Sequence, residues 1–225
     1  MNSEKINIAE GSPRILIAPL DWGLGHATRC IPLIKELAKN GCTIVIAASG
    51  GIKSLLQQEF PQLEFVPLSG YGITYSRRKT LLALKLIVQF PKLVFSICKE
   101  HRWLAKAIKT YKIDAVISDN RLGLWHRDIS CVYITHQLLI KTGSSFTEKI
   151  AQKIHFRFIK KYDVCWVPDF KEQENIAGEL SHPKKILPTV TYLGGLSRFE
   201  KKVDSVKKIQ FSNKYIGPRA PTYNF

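Results

Sequence analysis

A histidine follows a glycine-rich turn near the start of the chain, at a point where a ligand could sit. Apolar residues 15–18 predict a strand covered on both faces, and Gly23, Gly25 and His26 come soon after it. The two glycines allow a sharp backbone turn and the close approach of a ligand. A helix that begins near His26 presents unpaired N–H groups to an anion. His26 stands at this helix start, where its side chain could reach a reacting group.

Further polar side chains follow two later strands of the predicted sheet. Asp119 and Asn120 follow one strand, and His136 and Gln137 follow the next. In an open parallel sheet, ligands bind beyond the carboxyl ends of the strands, so these four residues and His26 are expected around one cleft. Each has a structural alternative: Asp119 could cap the following segment, and His136 could be a core-edge histidine bonded to a carbonyl. Their convergence as a group favours a functional site.

Strand and helix patterns alternate along the chain. This alternation predicts an α/β fold with a doubly wound, mainly parallel, Rossmann-like sheet. The predicted strands are 14–20, 43–48, 63–68, 113–118, 131–135, 164–167 and 190–193. The predicted helices are 26–40, 51–60, 80–111, 144–161 and 170–180, with a kink or a division into two helices at Pro91.

The composition is that of a folded and strongly basic protein. Of the 225 residues, 45% are hydrophobic, and the formal net charge is +16. Segment 71–112 holds ten lysines and arginines against one acid, Glu100, and such a field attracts polyanions or an anionic membrane surface. Its apolar stretch, 81–97, is too short and too interrupted to span a bilayer. We expect a buried or half-buried helix there, with an interfacial helix on lipid as the alternative.

The cysteines and the N-terminus favour a cytoplasmic protein. The five cysteines are odd in number and widely spread, and none has zinc-ligand or redox spacing, so no metal site is predicted. The first ten residues are polar and mixed in charge, unlike a cleavable signal. Attachment to the inner face of the membrane would be peripheral. No nucleic-acid-binding module is recognised, so no nucleic-acid partner is expected.

The glycine turn resembles a glycosyltransferase loop more than a dinucleotide-binding loop. A dinucleotide fingerprint needs a third glycine where Thr28 stands, and no acidic residue follows the second strand. This argues against a nicotinamide-dependent oxidoreductase. Asp21-Trp22 before Gly-x-Gly-His resembles the opening of the acceptor domain in two-domain (GT-B) glycosyltransferases. The likeness is to family 28 and to the group that adds N-acetylglucosamine to the lipid-linked peptidoglycan precursor.

Later segments extend this resemblance over 14–199. Segments 113–123 and 133–138 resemble the two later acceptor-domain loops, and 164–170, 180–183 and 192–199 resemble the run that leads to the interdomain linker. The implied organisation is an N-terminal extension at 1–13, an acceptor-binding Rossmann-like domain at 14–199, and a linker with a tail at 200–225.

The resemblance also implies roles for individual residues. His26 would be the general base on the acceptor hydroxyl or would polarise it, because an imidazole in water titrates near neutral pH. Asp119 would orient His26 or replace it as the base. The co-substrate would be a nucleotide-sugar, UDP-linked, the acceptor a glycan or a lipid-linked molecule, and neither a metal nor a further cofactor is implied. The substrate-binding residues would be Gly23, Gly25, Thr28, Asn120, His136 and Gln137.

In these transferases a second domain binds the nucleotide-sugar. We expect this chain to lack that domain and to be inactive alone. Residues 216–225 have no helical or strand period, and suitable codons read one nucleotide later give Ser-Gly-Pro-Glu-Pro-Gln-Arg-Thr-Ile, similar to the first loop of the second domain. A frameshifted tail is therefore expected, with a natural disordered basic tail as the alternative. The alternative function is an acceptor- or membrane-binding subunit with a separate nucleotide-sugar-binding partner.

Overall fold

The computed structural model describes residues 11–72, 79–172 and 175–197, with the backbone alone at 79–88 and 90. The expected extension at 1–13 lies mostly outside these residues, and the expected tail at 200–225 lies outside them entirely. Arg77 and Arg78 of the basic segment are also outside them.

The centre of the fold is a seven-stranded sheet in which every neighbouring pair is parallel. The order across the sheet is β3-β2-β1-β4-β5-β6-β7. This confirms the predicted doubly wound, Rossmann-like sheet. The strands are β1 (Arg14–Pro19), β2 (Thr43–Ala47), β3 (Glu64–Val66), β4 (Ala115–Asp119), β5 (Ser130–Ile134), β6 (Val164–Val167) and β7 (Val190–Tyr192).

Helices cover both faces of the sheet. They are α1 (Leu24–Lys39), α2 (Gly50–Glu59), α3 (Lys79–Tyr111) and α4 (Ser145–Ile159). Buried residues of α1 and α2 share one hydrophobic core with alternate strand residues such as Ile15 and Ile17. Leu104 of α3 and Ile159 of α4 belong to a second core with the intervening strand residues, such as Leu16. Burial on both faces explains why β1 is apolar after Arg14.

Three helix predictions differ from the structure. The first helix begins at Leu24, two residues before His26, with Gly23 as its N-cap. The helix α3 is continuous through Pro91, so the division into two helices is wrong. Among the described residues of 170–180, the only helical turn is a 3₁₀ turn at Gly178–Leu180, so the predicted helix there is wrong as well.

The carboxylate of Asp169 explains the missing helix after β6. It is buried and accepts hydrogen bonds from the backbone N–H groups of Phe170, Ile176 and Ala177, at 2.8, 2.7 and 3.1 Å. An aspartate that satisfies nearby backbone donors competes with the helical hydrogen-bond pattern. These bonds, and the Ser181 hydroxyl, hold the pKa of Asp169 below its usual value despite the opposing effect of burial.

A buried ion pair joins α3 to the loop after β4. Arg121 Nε donates to Glu100 Oε1 at 2.7 Å, and both side chains are almost completely buried. Arg121 also donates to the carbonyls of Pro19 and Ser69. The second oxygen of Glu100 accepts from the Tyr71 hydroxyl at 2.8 Å. Burial raises the pKa of Glu100, and the adjacent Arg121 guanidinium opposes that rise.

Within the described residues, no helix has the length and apolar character needed to cross a membrane.

The buried His155 of α4 makes stability depend on pH. Burial lowers the pKa of His155 from 6.5 to about 4, and a backbone hydrogen bond with Leu138 opposes this only in part. The unfolded chain therefore takes up a proton at a pH where the folded chain does not. The stabilising contribution is full above about pH 6.5 and is lost as pH falls toward 4.

We expect this residue alone to lower the free energy of unfolding by about 2 kcal/mol between pH 7 and pH 5. Urea unfolding of the wild type and of His155→Gln at both pH values measures the difference. The variant should lose less stability than the wild type over this range, because glutamine does not titrate. An equal loss in the two proteins would contradict the assignment.

Candidate functional site

Four polar side chains meet at the carboxyl edge of the central strands. Asp119 is the last residue of β4, and His136 lies two residues beyond the end of β5. His26 and Arg29 belong to the first turns of α1, and their spacing of three residues places them on the same side of the helix. Because β1, β4 and β5 are adjacent and parallel, the segments that follow them converge at one edge.

Arg29 and Asp119 form a two-point ion pair at the centre of this group. Arg29 Nε donates to Asp119 Oδ2 at 2.7 Å, and Arg29 Nη2 donates to Asp119 Oδ1. The Asp119 side chain is fully buried, and 12% of the Arg29 side chain is exposed. Such a pair fixes the plane of the carboxylate and neutralises its charge. Both oxygens of the carboxylate are thus bonded to Arg29.

The His26 ring is held through its Nδ1 atom. This atom lies 3.1 Å from Asp119 Oδ2 and 2.5 Å from Arg29 Nη2. If Nδ1 carries the proton, it donates to Asp119 and Nε2 has a free lone pair. If Nδ1 accepts from Arg29, the neutral ring carries its proton on Nε2. The first tautomer suits a general base, and the second suits a group that polarises a hydroxyl.

His136 has a defined tautomer in this arrangement. Its Nδ1 lies 2.9 Å from Arg29 Nη1, and an arginine can only donate, so Nδ1 accepts. The proton of the neutral ring is therefore on Nε2. Burial lowers the pKa of His136, and the positive charge of Arg29 lowers it further. His136 is thus a neutral hydrogen-bond donor near pH 7.

The glycine turn shapes the entrance to α1. Gly23 has φ +149°, in the region that favours glycine, and its carbonyl accepts from the His26 N–H at 3.3 Å. Thr28 donates its hydroxyl back to the Gly25 carbonyl at 3.1 Å. A Cβ at either Gly23 or Gly25 would have no neighbour within 4 Å among the residues that the structure describes.

A small cavity of about 200 Å³ lies beside this turn, between the starts of α1 and α2. The sequence analysis did not identify the α2 side of it. Its lining residues are Asp21, Gly23, Leu24, Ser49, Gly50, Gly51 and Ile52.

One of the predicted site residues, Asn120, is placed differently from the central group. The amide oxygen of Asn120 accepts from the Tyr133 hydroxyl at 3.2 Å, and Tyr133 belongs to the core on the α3 and α4 face of the sheet. Asp119 instead contacts α1 on the other face. Gln137 follows His136, and its backbone N–H donates to the Thr135 hydroxyl at 3.0 Å. The structure therefore brings together His26, Asp119 and His136, while the Asn120 amide oxygen is bonded on the other face.

Arg29 is the central residue that the sequence analysis missed. Its position three residues after His26, inside a helix that was predicted, was the available signal. Among the described residues, no group of three or more His, Cys, Asp or Glu side chains could hold a metal ion.

Comparison with known proteins gives the fold its class. Neither a protein-family model nor a curated protein matches the sequence. Solved structures do match. One is a UDP-glucosyltransferase from Polygonum tinctorium that glucosylates indoxyl, in complex with 3,4-dichloroaniline, with 14% identity and a TM-score of 0.53 over 85% of this chain and 54% of that one.

A second match is Phytolacca americana UGT2 with UDP-2-fluoro-glucose and pterostilbene, with 12% identity and a TM-score of 0.52 over 84% of this chain and 55% of that one. MurG of Acinetobacter baumannii also matches, with 12% identity and a TM-score of 0.45 over 84% of this chain and 47% of that one. The chain thus spans about half the length of the structures that it matches. Its fold is that of the N-terminal, Rossmann-like half of a GT-B glycosyltransferase, as the resemblance of the glycine turn predicts.

The Arg29–Asp119 pair should be important for stability. Arg29→Gln leaves the buried Asp119 carboxylate without its charged partner, and we expect the free energy of unfolding to fall by about 3–5 kcal/mol. Urea unfolding measures this loss. Adding Asp119→Asn should recover part of it, because the uncompensated charge is then removed.

The matched control is Arg102→Gln, since Arg102 is an exposed arginine of α3. That change should alter the free energy of unfolding by less than about 0.5 kcal/mol. A similarly small effect of Arg29→Gln would show that the ion pair does not hold the site together.

Proposed function

We propose that this chain is the acceptor-binding half of a glycosyltransferase that transfers a sugar from a UDP-sugar to a hydroxyl group of a glycan or lipid-linked acceptor. The observation that carries the proposal is the cluster of His26, Arg29, Asp119 and His136 at the carboxyl edge of a GT-B-type sheet. Ligands of open parallel sheets bind at this edge. The fold alone does not specify the activity, so the argument depends on the cluster.

In the proposed mechanism, His26 acts on the acceptor hydroxyl through Nε2. With Nδ1–H donating to Asp119, Nε2 accepts the hydroxyl proton as the oxygen attacks the anomeric carbon of the sugar. The bond from that carbon to the diphosphate breaks, and the nucleoside diphosphate leaves with the electron pair. Asp119 stabilises the imidazolium that forms, because it is fixed against Nδ1 before the reaction.

The other residues bind and orient the substrates. His136 donates from Nε2 to an oxygen of the acceptor or of the donor sugar. Gly23, Gly25 and Thr28, at the start of α1, face the diphosphate, because the N-terminus of a helix favours an anion. Gln137 is assigned to the acceptor side. The reaction as proposed needs neither a metal nor a redox cofactor.

The donor would be bound mainly by a second domain. The match with this chain covers only 54% and 55% of the two plant enzymes named above, and the Phytolacca americana structure holds UDP-2-fluoro-glucose. We therefore assign the nucleotide to a second half, carried either by the same polypeptide or by a partner chain. The protein would act in the cytoplasm, with any membrane contact peripheral.

The 225-residue chain alone should not turn over a UDP-sugar. We assign the acceptor contacts to this chain and most of the contacts with the UDP-sugar to the second half. Purified protein is incubated with UDP-glucose or UDP-N-acetylglucosamine, and UDP release is measured by chromatography against a blank without protein. Release well above the blank would overturn the assignment of this chain to one half.

In a two-domain form, His26→Ala should lower kcat by ~10²–10⁴-fold, because general acid–base assistance is of that order. The Kd for the UDP-sugar should change little, since the nucleotide is assigned to the second half. Steady-state rates and isothermal titration separate the two quantities.

The matched control is His126→Ala, a half-buried histidine in the connection between β4 and β5. It should leave kcat within about twofold, as expected for a residue that takes no part in the proton transfer. If His26→Ala also leaves kcat unchanged and only lowers stability, His26 merely shapes the start of α1.

A further inference from the structure

An open groove of about 600 Å³ runs between α4 and the segment that follows β5, away from the histidine cluster. Leu139, Ile140 and Phe156 supply its apolar surface. Cationic side chains dominate the remainder of its lining. They are Lys141, Lys149, Lys153, Arg157 and Lys160.

The groove has almost no negative charge of its own to balance these cations. Glu148 is its one acid among the lining residues, and Oε1 of its carboxylate accepts from the backbone N–H groups of Thr142 and Gly143, at 3.0 and 3.1 Å. Lys141 contacts Glu179 at 3.3 Å in a largely exposed pair. The other four cations have no acidic partner among the residues that the structure describes.

The spacing of these cations opposes helix stability. Lys149, Lys153 and Arg157 follow one another at intervals of four residues, so each lies one turn from the next on α4. Like charges at this spacing destabilise a helix. An anionic partner that neutralised them would remove this repulsion, which makes an anion the complementary occupant of the groove.

Apolar side chains extend the surface beyond the groove itself. Phe146 and Ile150 are one turn apart on α4, and they are 70% and 46% exposed. Neither lines the groove. A ligand confined to the groove would leave both uncovered, whereas a lipid surface would contact the cations and these two side chains together.

We propose that α4 and its groove form a docking surface for an anionic phospholipid leaflet. The lysines and Arg157 contact lipid phosphates, and Phe146 and Ile150 enter the boundary between headgroups and acyl chains. This surface differs from segment 71–112, to which the sequence analysis assigned any membrane contact. It is independent of the proposed transferase activity and can be tested without it.

The test is sedimentation of the 225-residue chain with vesicles of phosphatidylcholine, with or without phosphatidylglycerol. We expect binding to the anionic vesicles only, and a decrease with added salt. Lys149→Gln/Lys153→Gln should lower the partition coefficient by about 25-fold, because each lysine near an anionic surface contributes about fivefold.

The matched control is Lys106→Gln/Lys109→Gln, which removes two exposed charges from α3. It should weaken vesicle binding by less than about threefold. Salt screens the attraction between the anionic membrane and exposed charges that do not lie close to it. An equal loss of vesicle binding in the two double variants would overturn the proposal, because binding would then depend on the total charge or on α3. Binding to neutral vesicles as strong as to anionic ones would also overturn it.

A second pair of measurements separates a leaflet from other anions. Phe146→Ser/Ile150→Ser should lower vesicle binding by about tenfold, because apolar area then no longer enters the lipid, and its thermal midpoint should match that of the wild type. Displacement of the protein from vesicles by millimolar glycerol phosphate would identify a soluble-phosphate site instead. Unaltered vesicle binding by this variant, or binding of an acidic peptide in place of vesicles, would also contradict a lipid surface.

Discussion

The buried pair of Arg121 and Glu100 is the constraint on which the carboxyl edge of the sheet depends. Arg121 bonds to Glu100 of α3, to the carbonyl of Pro19 at the end of β1 and to that of Ser69 after β3, while Glu100 also accepts from Gly123, after β4. One ion pair therefore ties a helix to the end of a strand and to two loops. A Cβ at Gly123 would lie 2.4 Å from the Ile97 carbonyl, so the loop and α3 are as close as two backbones can come. Removing two charges from water costs free energy. In this fold the buried pair fixes the positions of the loops around the site.

A second guanidinium–carboxylate pair at the same edge has a different consequence. Arg121 is completely enclosed and makes contacts only within the scaffold, whereas Arg29 and His26 retain 12% and 14% exposure of their side chains. The carboxylate of Asp119 remains in the core, and the groups that it organises reach the surface. The first pair thus positions loops, and the second positions side chains.

The sequence predicts the sheet and the meeting of His26, Asp119 and His136, because short buried strands and their carboxyl ends follow from local patterns. It does not predict which way Asn120 turns, since that depends on the Tyr133 hydroxyl of the neighbouring strand. No α-helix forms among the described residues of 170–180 because the Asp169 carboxylate accepts hydrogen bonds from backbone N–H groups of this segment. The spacing of apolar residues along the sequence does not predict these bonds. Long-range partners such as Glu100 and Arg121 are equally invisible in a local pattern. The groove on α4 requires the segment after β5 to be placed against the helix, and no local pattern predicts that placement.

The hydrogen bonds of the cluster limit which of its atoms can accept a proton. Both oxygens of Asp119 accept from Arg29, and the carboxylate is fully buried, so it cannot reach a substrate hydroxyl. His136 uses its one lone-pair nitrogen to accept from Arg29, and its remaining ring nitrogen carries the proton. Arg29 itself can only donate. Nδ1 of His26 lies 2.5 Å from Arg29 Nη2 and 3.1 Å from Asp119 Oδ2, so Nε2 of His26 can accept a proton only in the tautomer in which Nδ1–H donates to Asp119. The arginine that the sequence analysis missed contacts Asp119 and Nδ1 of both histidines, so the geometry of the whole cluster depends on it.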